Sequence, residues 1–121
     1  MRHQSATAYE LAQVGLLAAL PGETLGRLGE RMERRELASG EAVVRQGEEG
    51  DRFYVLLSGM LSVRQEGRGE RGVLRPGDYF GEVALAMDVP RTATVSALTP
   101  AVVASCDRKT FDELVRPIFA G

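Results

Sequence analysis

A carboxylate and a guanidinium nine positions apart, Glu82 and Arg91 in the stretch FGEVALAMDVPRTATV, are the pair in this chain best spaced to do chemistry. Gly81 precedes a run of good helix formers, Val83-Ala84-Leu85-Ala86-Met87, which Asp88 stops before Pro90. A short helix that begins on a turn glycine points free backbone N–H groups outward, where they attract an anion. Arg91, on the far side of the loop, can close the same pocket and grip two phosphate oxygens at once. Thr92 adds a hydroxyl, and Ala93, with almost no side chain, lets its backbone N–H come close to a ligand. Glu82 would repel a phosphate unless a hydroxyl donor lay between them, and a ribose 2′-OH is such a donor. One arginine facing one carboxylate suits a ligand of low charge, such as a cyclic phosphodiester. A nucleoside triphosphate calls for GxxxxGK[ST], which this sequence lacks.

Each residue also has a structural reading. Gly81 can serve only its turn, Glu82 can stabilise the first turn of a helix, and Arg91 can pair with Asp88 on the surface. Thr92 and Thr94 are good strand residues in their own right. The joint occurrence of all of them in one loop favours the pocket.

No catalytic set accompanies them. His3 is the only histidine, so neither a Ser/His/Asp arrangement nor a metal site of the several-histidine kind found in jelly-roll enzymes can be assembled. Glu48-Glu49 and Asp112-Glu113 read as solvated faces. Cys106, the single cysteine, excludes an intrachain disulfide and a CxxC zinc site and reads as a buried, inert thiol. No catalytic residue, cofactor or metal is expected.

The elements that must hold this loop follow from the pattern of the chain. Its 121 residues, 44% hydrophobic, suit a single domain over 1–121. The net charge of −2 and pI near 5.5 offer no basic field for nucleic acid or an anionic membrane. The absence of a spanning apolar stretch and of a signal-like N-terminus points to the cytoplasm.

Residues 1–8 have no periodicity and are expected to fray. Residues 9–33 form a helical entry: Leu11, Val14, Leu17 and Leu20 fall at three-residue steps, and after Pro21-Gly22 a second helix carries Leu25, Leu28 and Met32, weakened by Gly26 and Gly29. Residues 34–106 alternate short apolar runs with turn chemistry, the signature of an all-β sandwich or barrel. A jelly-roll-like β-roll with flanking helices is predicted, with Glu66–Gly72 as an exposed hairpin tip. Asp107 then caps a last helix through Val115, which Pro117 ends or kinks.

FGEVAL followed by PRTATV resembles the phosphate-binding cassette of cyclic nucleotide-binding domains, found in cAMP-dependent kinase regulatory subunits, cyclic nucleotide-gated channels and catabolite activator protein. LLAALP (Leu16–Pro21), GEAVVRQGEEGDRFYVLLSGMLSV (Gly40–Val63) and RPGDYF (Arg75–Phe80) extend the resemblance over most of the chain. It implies a sensor or regulatory module whose ligand is cAMP, or cGMP with less preference. By resemblance the contacts are Gly81, Glu82, Val83, Ala84, Leu85, Arg91, Thr92 and Ala93, with Val73 packing on the base. Gly47, Gly50, Asp51 and Gly59 match family turn positions that shape the barrel.

One departure stands out. The family's helix after the barrel is followed by a lid over the base, whereas here only Arg116–Gly121 remain after Val115, so the lid helix is short or missing. A neighbouring chain could cap the base, which implies a protein effector or a homodimer as partner. No helix-turn-helix segment follows, so no operator is bound directly. The competing readings are a protein-interaction domain that keeps the roll and binds no nucleotide, and a fragment of a larger cyclic nucleotide-regulated protein.

Overall fold

Two four-stranded antiparallel sheets share one inner core, and the helices cover the outer face of only one of them. The computed structural model describes residues 5–120; His3 lies outside them. The strands are β1 (Glu33–Leu37), β2 (Ala42–Val44), β3 (Arg52–Ser58), β4 (Leu61–Gln65), β5 (Gly69–Leu74), β6 (Tyr79–Phe80), β7 (Thr94–Ala97) and β8 (Ala101–Asp107). One sheet has the order β1-β8-β3-β6 and the other β2-β7-β4-β5. This is the β-roll that the alternation of short runs and turns predicts.

The strand β3 explains why the central runs read as continuously apolar. Side chains alternate between faces along a strand. Tyr54 and Leu56 enter the core between the sheets with Leu61, Phe80, Val95 and Val103. Phe53 and Val55 turn to the other face, where Leu11, Leu17, Leu28 and Phe111 of the helical segments cover them. Both faces of this strand are dry.

The helical entry departs from expectation in a way that its spacing explains. The first helix, α1, covers only Ala8–Ala12. Beyond it the chain makes successive tight turns, with Val14 N–H donating to Leu11 O (3.0 Å), Leu17 N–H to Val14 O (2.9 Å) and Leu20 N–H to Leu17 O (3.0 Å). A strict three-residue step fits three residues per turn better than 3.6, and it buries Leu11, Val14 and Leu17 fully. The second helix, α2 (Gly22–Arg31), buries Leu25 and Leu28, and Met32 at its end is also buried. Gly29 serves close approach: a Cβ there would sit 2.6 Å from the Ala6 carbonyl oxygen.

Of residues 1–8, expected to fray, 1–4 lie outside the described residues and 5–8 are held in place. Ser5 bridges Glu33, Ala6 is buried, and Thr7 caps α1 in a capping box with Glu10. The hairpin tip is also shorter than predicted, since Gly69–Gly72 already belong to β5.

After β8, Asp107 caps the last helix by accepting from Thr110 N–H at 2.9 Å, as expected. That helix begins as α4 (Arg108–Thr110), widens into a π-turn over Phe111–Val115 and continues as α5 (Arg116–Ala120). Pro117 therefore does not end it. Proline lacks an N–H and crowds the carbonyl four residues back; the wide turn immediately before it shifts the hydrogen bonding, with Arg116 N–H reaching Phe111 O.

Candidate functional site

The loop that carries Glu82 and Arg91 is assembled by local chemistry at both ends of a six-residue helix. Gly81 takes φ +96°, a left-handed value suited to glycine, and α3 then runs Glu82–Met87. Asp88 closes it in the left-handed region at φ 54°, which aspartate tolerates better than most residues. The chain returns through Pro90 to Arg91, whose backbone is clamped to the turn after β2: its N–H donates to Glu48 O (2.8 Å) and its carbonyl accepts from Gly47 N–H (2.9 Å).

Arg91 is only 7% exposed. Nη2 donates to Arg52 O at 2.8 Å and Nη1 to Gly81 O at 3.3 Å. The guanidinium lies 5.7 Å from the Tyr54 ring centroid, and Tyr54 in turn stacks on Phe80 at 4.8 Å. Burial pushes the Arg91 pKa down, against the opposing pull of Tyr54, Asp51, Glu82 and Glu48, and pushes that of Tyr54 up. Among the described residues Arg91 makes no salt bridge; Asp88 pairs with Arg108 instead, at 3.5 Å. A buried cation held only by carbonyl dipoles and a ring face is costly unless an anion joins it.

Glu82 supplies the complementary observation. It stands in the first turn of α3, where a carboxylate is favourable, yet its Oε2 is buried with no hydrogen-bond partner among the described residues. The reading of Arg91 as a surface partner of Asp88 thus fails, whereas Glu82 does occupy the first turn of α3 and still has a buried oxygen left without a partner. A cleft of about 160 Å³ joins them, lined by Gly81, Glu82, Val83, Ala84, Arg91, Thr92 and Ala93 from the loop. Val44, Val63, Leu74, Tyr79, Phe80 and Val95 form the rest of its wall. Cationic and carboxylate ends face a common space with an apolar floor.

Two residues expected at the site stand apart from it. Leu85 is fully buried in the core under the helices, on the side of α3 turned away from the cleft. Val73 gives its place to Leu74: Val73 pairs with Ser62 and Leu74 with Leu61, so the two side chains leave β5 on opposite faces. A bulge in β5, opposite Val63 and Arg64, sets that phase, and a bulge leaves no mark in a hydrophobicity pattern.

Sequence reading also missed contributors that hold Arg91. Gly50 is one, since a Cβ there would collide with the Ala84 Cβ and lie 2.9 Å from Arg91 Nε. Its position in the glycine-rich turn from Gly47 to Asp51 was the available signal. Tyr54 and Arg52 were hidden because a ring face and a backbone carbonyl carry no motif. Thr94, by contrast, is structural, its hydroxyl accepting from Gln46 N–H at 2.9 Å. Cys106 is buried and its pKa is pushed up to about 12 by desolvation, as an inert thiol requires. Among the described residues no cluster of histidine, cysteine, aspartate and glutamate could hold a metal, and no helix is long and apolar enough to cross a membrane.

Residues 34–117 match the family model described as the cyclic nucleotide-binding domain. The chain belongs to that family. A cAMP-dependent protein kinase regulatory subunit of Debaryomyces hansenii is 37% identical over 107 residues, covering 88% of this chain and 24% of that protein. The chain thus spans about a quarter of that relative's length. Among solved structures, the regulatory domain of Toxoplasma gondii PKA with cAMP superposes with a TM-score of 0.85 at 31% identity, over 92% of this chain and 44% of that one. The regulatory subunit of a cAMP-independent protein kinase A from Trypanosoma brucei reaches a TM-score of 0.88 at 24% identity, over 93% and 41%, a likeness of fold alone.

Proposed function

We propose that this cyclic nucleotide-binding domain takes a 3′,5′-cyclic nucleotide in the cleft, cAMP in preference to cGMP, and serves as a non-enzymatic regulatory module. The fold by itself does not select the ligand, because a chain with a TM-score of 0.88 is described as part of a cAMP-independent kinase. The residues must decide. What carries the reading is the buried Arg91 without a carboxylate partner and the buried, unpartnered Glu82 Oε2 on one cleft. A ring phosphate would neutralise the first, with the Gly81 and Ala93 region supplying backbone donors, and a ribose 2′-OH would donate to the second. Val83, Ala84 and Thr92 would flank the sugar and phosphate. The cleft's volume is below the roughly 300–1,000 Å³ of pockets that enclose a whole drug-sized ligand, so the base would rest against the apolar wall at Leu74.

The reading includes a route by which binding alters the rest of the domain. The Leu85 carbonyl on α3 accepts from Arg108 Nη1 (3.1 Å) and Arg116 Nη2 (3.3 Å) of the last helix. A ligand that prefers one placement of α3 would shift the terminal helix toward the arrangement that suits it. A protein effector or a second copy of the chain would read that shift.

The interaction-domain reading draws support from Val83, Met87 and Val89, which are 43%, 69% and 38% exposed around α3. Thermal melts separate the two. cAMP at about 100 times its dissociation constant should add about 2.7 kcal/mol, raising the midpoint by several degrees, and cGMP should require a higher concentration for the same rise. No rise with any cyclic mononucleotide would leave the interaction domain as the better account.

A further inference from the structure

Gln65 lies outside every residue assigned to the cleft, at the end of β4 where the β4–β5 hairpin begins. Its backbone is fixed there, since its carbonyl accepts from Arg68 N–H at 3.0 Å and it pairs with Gly69 across the hairpin. Its side chain reaches back to the loop, with Nε2 donating to the Thr92 carbonyl at 3.0 Å. Neighbouring bonds brace the same stretch: Glu66 N–H donates to Gln46 Oε1 (2.8 Å), and Gln46 N–H to Thr94 Oγ1 (2.9 Å).

The Thr92 carbonyl and the Ala93 N–H belong to one peptide group. That group is planar and trans, so its C=O and N–H point in opposite directions. A donor that holds the carbonyl toward the hairpin therefore aims the N–H the other way, and both Thr92 and Ala93 line the cleft. The stretch between Arg91 and β7 belongs to neither ladder, so it is Gln65 and not a strand partner that holds the Thr92 carbonyl.

We propose that Gln65 is a positioning residue for anion binding: by holding the Thr92 carbonyl it presents the Ala93 N–H to the phosphate. This rests on the cyclic nucleotide reading above and adds to it a residue, on a different hairpin, that never touches the ligand. Its effect should fall on one donor and leave the Arg91 and Glu82 contacts intact.

The test replaces Gln65 by methionine, which keeps the length and removes the donor without changing charge. Calorimetric titration with cAMP and amide proton–nitrogen spectra are recorded for both chains. The expected result is a roughly ten- to hundred-fold weaker affinity in Gln65→Met, the range for losing a hydrogen bond to a charged group. The free protein's melting midpoint should stay within a few degrees of wild type. At saturation the Ala93 amide shift on binding should shrink while the Glu82 amide shift persists, a pattern that general loosening of the cleft would not give. Equal affinity in the two chains, or loss of both amide shifts together, overturns the proposal while leaving the site reading in place. Failure of the wild-type chain to bind overturns the site reading and this proposal with it.

Discussion

The arginines under the helices and the arginine in the cleft are held in opposite ways. On the helical side Arg31 meets Glu113 at 2.7 Å, Arg34 meets Glu10 at 3.0 Å and Arg116 meets Asp112 at 2.8 Å, each in a place that water reaches. Arg91 is more buried than any of these and has only carbonyls and a tyrosine face for company. Solvated pairs of the first kind contribute little to stability, and that side of the molecule is held by its apolar core. The cleft carries an electrostatic imbalance that a bound anion would relieve. One region is finished by folding, and the other would be completed by the proposed ligand.

Substitutions can break that contrast from either side. The largest effect is expected at Phe111, fully buried on the inner side of the last helix and 5.4 Å from the Phe53 ring. Phe111→Ala should cost about 3–5 kcal/mol of stability in urea titration. Arg91→Ala should act on binding, weakening cAMP by about 2–5 kcal/mol in calorimetry as a phosphate loses its charged partner. A comparable affinity in that variant would show that the imbalance at Arg91 serves something other than the phosphate.

Glu82→Ala sharpens the comparison within the cleft. It should weaken cAMP by about 1.5–3 kcal/mol and leave 2′-deoxy-cAMP, which lacks the hydroxyl, nearly unaffected. If both ligands weaken equally, Glu82 is not reading the ribose.

The smallest effect is expected at Asp107, on the finished side. Asp107→Ala removes a helix cap and should cost about 1 kcal/mol. The bond from Thr110 N–H holds the Asp107 carboxyl below its ordinary range. A carboxyl with a depressed folded pKa stabilises the protein above its unfolded value, near ~3.9, and loses that contribution as pH falls through the lower folded value. The difference in melting midpoint between wild type and Asp107→Ala should therefore be full at neutral pH and shrink below about pH 4.

The sequence made the cassette legible because its boundaries are set locally. Gly81 and Asp88 both occupy left-handed positions that their residue types signal, and the helix between them needs no distant contact to be predicted. Asp107 as a cap was readable for the same reason. What escaped depends on partners far along the chain. Leu74 replaces Val73 because a bulge in β5, with Arg71 passed over between Gly72 and Glu70, sets the phase. The π-turn before Pro117 arises as the helix accommodates a proline while keeping Phe111 and Leu114 on the core. The strand β1, Glu-Arg-Arg-Glu-Leu, has almost no apolar signal; its place comes from pairing with β8.

The buried state of Cys106 has a practical bearing on all of this. With its thiol sealed in the core and protonated up to about pH 12, the native chain offers labelling reagents almost nothing to attack. A cysteine introduced at an exposed position such as Met87 on the cassette helix would then be the only reactive handle, and a dye or spin probe there could follow that helix during titration with nucleotide without first removing the natural thiol.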